Sequence, residues 1–123
     1  MMKVALPHWQ GRVSPVLDVA GKLLVIEVER GKEASRIERK LLFQDPFSRA
    51  REISGLGVEV LICGAVSWPL EMALSSAGVV VIPHTCGPID EIVRAFLSGG
   101  FTDDSFLMPG CCGRGRRFRH RRG

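Results

Sequence analysis

Two runs decide the fold: Val58-Glu59-Val60-Leu61-Ile62-Cys63-Gly64 and Val79-Val80-Val81-Ile82-Pro83-His84-Thr85-Cys86-Gly87. Each is short, almost wholly apolar and closed by Gly or Pro, and a helical pattern lies between them. Such runs read as buried parallel strands. A right-handed crossover opens both carboxyl ends on one edge of the sheet. That edge then carries Cys63, His84 and Cys86. Ligands of open α/β sheets bind outside the carboxyl ends of strands, so two sulfurs and an imidazole there point towards a metal.

Outward from this centre the pattern is regular. Lys3 to Pro7 reads as an opening strand, and His8-Trp9-Gln10-Gly11 as a loop. Val13 to Val19 and Leu23 to Glu29 read as the arms of a hairpin turning at Ala20-Gly21, with Ile37 to Phe43 as a third antiparallel strand. Asp45-Pro46 announces a helix, Asp as the cap and Pro at the first position, with Phe47, Ala50, Ile53 and Leu56 as its apolar stripe. Ser67 caps the next, which buries Leu70, Ala73, Leu74 and Ala77. Pro88 opens the last, with Ile89, Ile92, Val93, Phe96 and Leu97 inward and Asp90 and Glu91 at its positive end. The expectation is a single α/β domain over residues 1–101, a ribonuclease H-like mixed β-sheet with helices on both faces. Residues 102–123 read as a flexible Cys/Arg-rich arm, too poor in apolar residues to collapse.

The 123 residues carry a net charge of +4 that belongs to this arm, since six arginines and no acid lie between Arg114 and the end. The rest is mildly acidic. No apolar run approaches the roughly 18 residues of a membrane helix, and Pro7 interrupts any signal-peptide core. The expectation is a cytoplasmic protein with reduced thiols and no membrane partner. Oligomeric state is left open, although a half-polar strand at an exposed edge offers copies a way to pair.

The four cysteines differ in promise. Cys63 ends an apolar strand, where plain burial is the commoner meaning. Cys86 precedes a helix, whose amino end favours the thiolate that binds metal; His84 could join it. Cys111-Cys112, between glycines, is the sharpest local signal, since soft thiolates select Cu(I), zinc and iron–sulfur clusters. No Cys-x-x-Cys pair occurs, so a conventional zinc or ferredoxin site lacks its spacing. If the arm folds back, Cys86, Cys111 and Cys112 share a site, and Arg114, Arg116 and Arg117 neutralise an anionic sulfide cluster.

Several segments resemble the dinitrogenase iron–molybdenum cofactor-binding family, which includes NifX, NifY and the carboxy-terminal part of NifB. They are Lys3-Val4-Ala5-Leu6-Pro7, Arg12-Val13-Ser14-Pro15-Val16-Leu17-Asp18, Cys63-Gly64-Ala65-Val66-Ser67, Ile82-Pro83-His84-Thr85-Cys86-Gly87 with Glu91, and Leu97-Ser98-Gly99-Gly100. The resemblance spans about residues 1–100, and the tail cysteines lie beyond it. Where the family has a glycine-rich turn after the central strand, Cys63 and Ala65 interrupt the glycines here. The resemblance implies a non-enzymatic carrier or chaperone of a metal–sulfur cluster, iron–molybdenum or a related Mo/Fe/Cu species, with donor and acceptor proteins as partners. One type in the family holds a molybdenum–copper sulfide cluster.

Two other classes compete. The arginine run would bind nucleic acid non-specifically and salt-sensitively, though Phe118 alone gives no stacking platform. A dithiol redox protein would use Cys111-Cys112 without metal. A nuclease is not expected, because Asp18, Asp90 and Glu91 are scattered and the first strand carries no acid. No phosphate-binding loop or nucleophile elbow is present. Trp9 and Trp68, each placed in a loop near a sheet end, either pack the core edge or shield a cluster from water.

Overall fold

The computed structural model describes residues 2–98 of the chain. The expected hairpin between Val13 and Glu29 does not form; two tighter ones do. Strand β1 (Met2–Trp9) continues through His8 and Trp9, the expected loop, and turns at Gln10-Gly11 into the two-residue β2 (Arg12–Val13). Strands β3 (Lys22–Glu29) and β4 (Lys32–Lys40) turn at Arg30-Gly31. Both central residues of each turn have positive φ, between 53° and 78°, the geometry of two-residue hairpins whose twist matches the strands. Gln-Gly and Arg-Gly are weak signals of that turn, since neither Gln nor Arg favours the left-handed region as Asn and Asp do. Ala20-Gly21 instead follows a 3-10 turn over Leu17–Val19 whose Leu17 is wholly buried.

The third strand also sits earlier than expected. β4 stops at Lys40, and Leu41 turns inward. The N–H groups of Leu42 and Phe43 leave the ladder to donate to the Glu52 carboxylate, at 2.8 and 3.3 Å.

Beyond this point the helices follow the sequence closely. Helix α1 (Pro46–Ser54) is capped by Asp45, whose carboxylate accepts from Ser48 N–H at 2.9 Å. Helix α2 (Trp68–Ser76) is capped by Ser67, and α3 (Ile89–Ser98) follows Pro88. Strands β5 (Val60–Ile62) and β6 (Val80–Ile82) are parallel to β1. The sheet order is β4-β3-β1-β5-β6, with β2 attached to β1, a mixed sheet with helices on both faces as expected. β6 is an edge rather than a buried strand, and its Val80 is 59% exposed. β3 is central, so its Leu23–Ile26 stretch is buried on both sides instead of alternating.

The two faces carry separate cores. Ala5, Leu23, Val25, Leu61 and Cys63 meet Ala50 and Ile53 of α1 and Leu70 and Leu74 of α2 on one. On the other, Val4, Leu6, Ile26 and Ile62 meet Ile89, Ile92 and Val93 of α3. The α1 stripe holds at Ala50, Ile53 and the partly buried Leu56, but Phe47 is 74% exposed and Arg49, 1% exposed, turns inward in its place. Among the described residues no helix is long and apolar enough to cross a membrane.

Candidate functional site at the carboxyl rim

Where β5 and β6 end, two loops run outward, Cys63 to Ser67 and Pro83 to Pro88. A third segment, β2 and the residues that follow it, is laid across both. Val13 N–H donates to the Gly87 carbonyl at 3.1 Å, and Arg12 bridges Pro88. Ala65 N–H donates to the Pro15 carbonyl at 2.7 Å, and Leu17 N–H to the Ala65 carbonyl at 2.8 Å. The two loops are themselves joined, His84 N–H to the Gly64 carbonyl and Thr85 N–H to the Cys63 carbonyl, both at 2.9 Å. The rim is thus a fabric of backbone hydrogen bonds between segments distant in sequence. Such a fabric holds its side chains on a fixed frame, as preorganised sites require.

Gly64 is the tightest point of the weave. A methyl group there would lie 2.7 Å from the Ser14 carbonyl oxygen and closer still to that of Pro15. His84 is the strained point, with φ of 63°. A non-glycine residue in the left-handed region costs about 1 kcal/mol or more, and such residues cluster at functional sites. His84→Gly is therefore expected to match or exceed the parent in stability, whereas His84→Val, β-branched, is expected to lose at least ~1 kcal/mol. Urea unfolding midpoints check this. A His84→Gly protein much less stable than the parent would mean that the imidazole, not the backbone, holds the loop.

The sequence-predicted residues meet differing fates. His84 and Cys86 stand half-buried at the rim. Cys63 reaches the same edge but is fully buried, its side chain packed in the core under α1 and α2. Among the described residues no three His, Cys, Asp or Glu side chains gather closely enough to hold a metal ion. Cys111, Cys112, Arg114, Arg116 and Arg117 lie outside the described residues. Neither tryptophan packs the core edge: Trp9 is 64% and Trp68 71% exposed.

The scattered acids have structural employment. Asp18 accepts from both the N–H and the hydroxyl of Ser67, at 2.8 and 2.5 Å. An anion thus already occupies the amino end of α2, where the helix dipole favours one. Asp90 pairs with Arg36 at 2.7 Å. Arg36 also grips Glu33, and that hydrogen bond raises the guanidinium pKa above its ordinary value.

Two features escaped the sequence. Arg49, inside the apolar core, donates from Nη1 to the carbonyls of Ala20 at 2.6 Å and Leu17 at 3.3 Å, clamping the 3-10 turn that carries Asp18. Burial pushes its pKa down. Its only advance signal was a cation one residue before the inward Ala50. The second is a cleft of about 540 Å³ beside the rim, lined by Trp9, Pro15, Val16 and Val19 with Lys22 and Lys40. Its apolar walls and two cations suit an anion with an apolar body.

Fold and rim together define a class: a mixed α/β domain with a stitched carboxyl rim on a half-parallel sheet. No family model matches the chain, and no curated protein matches it. Among solved structures it is similar to the apo form of the orange protein from Desulfovibrio gigas, with a TM-score of 0.66 and 23% identity over 81% of this chain and 90% of that one. It is also similar to a provisionally assigned dinitrogenase from Methanocaldococcus jannaschii, with a TM-score of 0.65 and 19% identity over 80% of this chain and 90% of that one. A provisionally assigned NifB protein from Thermotoga gives a TM-score of 0.62 and 24% identity over 81% and 90%. At these identities the likeness establishes the fold.

Proposed function

We propose that this chain belongs to the dinitrogenase cofactor-binding family and binds a metal–sulfur cluster, or its precursor, as cargo. It acts as a carrier, store or chaperone and catalyses no reaction. The observation that carries the reading is the rim itself, a rigid frame that presents a thiol and an imidazole, Cys86 and His84, on the edge where open sheets bind ligands. The fold shared with proteins described as an apo orange protein, a dinitrogenase and a NifB protein supports it.

The described rim offers two donors, since Cys63 is enclosed. A sulfide cluster brings most of its own ligands and needs few from its host, but it carries negative charge. Cys111 and Cys112 would supply further soft sulfurs, and Arg114, Arg116 and Arg117 the compensating charge. The thiols stay reduced in the cytoplasm, where donor and acceptor proteins for the cluster would meet it. Iron–molybdenum, or a related molybdenum, iron or copper sulfide, is the cargo class.

Anaerobic purification followed by elemental analysis and a visible spectrum tests this. The parent is expected to be coloured and metal-loaded, and Cys111→Ser/Cys112→Ser is expected to lose most of the metal. Colourless parent protein that refuses iron, molybdenum and copper under reducing conditions would overturn the reading. Tight, salt-sensitive nucleic-acid binding that survives the serine changes would put the arginines to another use.

A further inference from the structure

The cleft beside the rim has a chemistry of its own. Trp9 and Val19, 64% and 73% exposed, form its apolar walls together with Pro15 and Val16. Single exposed apolar residues need no explanation, but large ones gathered along one cleft mark a binding surface. Its volume of about 540 Å³ falls within the range of small-molecule sites.

The polar part of the lining carries a charge arrangement that costs stability. Lys22 of β3 and Lys40 of β4 stand directly opposite one another in the antiparallel ladder, and both line the cleft. Like charges directly opposite each other destabilise a sheet. Glu38 offsets one of them: one carboxylate oxygen lies 3.6 Å from Lys22 Nζ and the other 3.1 Å from His8 Nε2. Lys40 makes no ion pair among the described residues. With His8 neutral, one uncompensated positive charge remains beside the apolar walls.

We propose that the cleft is a second binding site, separate from the rim thiol and imidazole, for a small organic monoanion with a flat apolar body, an aromatic carboxylate in class. The indole of Trp9 offers a flat face to the ring. The carboxylate accepts from Lys40, with Lys22 opposite, and eases the repulsion across the ladder. One unmatched charge calls for one negative charge, so a polyphosphate does not suit. The base of the cleft is already pinned by hydrogen bonds. Ser14 N–H donates to the Pro7 carbonyl and Leu41 N–H to the Gly21 carbonyl, both at 2.9 Å. The Ala20 carbonyl accepts from Arg49 Nη1 at 2.6 Å. A ligand entering a preformed site loses little affinity to ordering the protein. None of this rests on the cluster-carrier reading.

The test titrates naphthoate into the metal-free, reduced full chain and follows the backbone amides by two-dimensional NMR. Saturable shifts are expected at Val16, Val19 and Gly21. Naphthoate is expected to bind about fivefold more tightly than naphthylmethanol, which has the same ring and no charge. Acetate, the charge without the ring, is expected to bind at least ~10-fold more weakly than naphthoate. Lys40→Gln is expected to erase the preference for naphthoate over the alcohol and to melt no lower than the parent. Trp9→Ala is expected to weaken both naphthyl ligands. Equal affinity for naphthoate in the parent and in Lys40→Gln would overturn the proposal, as would shifts confined to residues outside the cleft. A Lys40→Gln chain that melts well below the parent would also overturn it, because Lys40 would then already be engaged within the chain. Metal analysis reads the rim separately, so either site can fail without the other.

Discussion

Gly64→Ala is expected to destabilise the domain by about 3 kcal/mol, lowering its melting temperature by roughly 12–24 °C. The reason is contact with backbone, which cannot rotate away as a side chain would. The added methyl would press on the carbonyl oxygens of Ser14 and Pro15. To make room, the Arg12–Val16 segment must lift, and that movement breaks the bonds from Ala65 N–H to Pro15 and from Leu17 N–H to Ala65. Leu17 would leave its buried seat and Asp18 would leave Ser67. Thermal unfolding followed by circular dichroism measures the loss. A melting temperature within ~2 °C of the parent would show that the rim is looser than its hydrogen bonds indicate. Gly21→Ala is the control, since nothing lies within 4 Å of a methyl there, and it should be nearly neutral.

What the sequence could and could not disclose follows from the range of the forces involved. Asp45, Ser67 and Pro88 act on the turn beside them, so the starts of all three helices were legible. The runs around Leu61 and Val81 announced the parallel strands by composition alone. The hairpins were misplaced because Gln10-Gly11 and Arg30-Gly31 turn the chain through glycine and strand twist, with little help from the residue before it. Leu17 and Asp18 resembled strand residues until their partners, Ala65 and Ser67, were known. No local pattern encodes contacts across nearly fifty residues. Cys63 and Cys86 likewise differed only through what covers them: the α1–α2 core encloses one, and the other stays at the rim.

Arg49→Ala is expected to cost about 3–4 kcal/mol, because three losses coincide. A large, fully buried side chain leaves a cavity in the α1 core. The carbonyls of Leu17 and Ala20 lose the donor that satisfies them, at about 1–3 kcal/mol for a buried group left unpaired. The 3-10 turn is also released, and with it the anion at the amino end of α2. Against these stands one gain, the removal of a buried cation whose Nε has no hydrogen-bond partner and whose pKa burial lowers. Arg49→Met separates the terms, since it nearly preserves volume while orphaning the same carbonyls. It should recover part of the loss, and the remainder measures the clamp. If Arg49→Met were as stable as the parent, the hydrogen bonds to Leu17 and Ala20 would be doing no more than offsetting the cost of hiding the charge. The arginine would then owe its place to shape. If Arg49→Met instead falls most of the way to Arg49→Ala, the guanidinium is the pin that fixes the 3-10 turn against α1, and through Asp18 the rim inherits its rigidity from the helix layer beneath it.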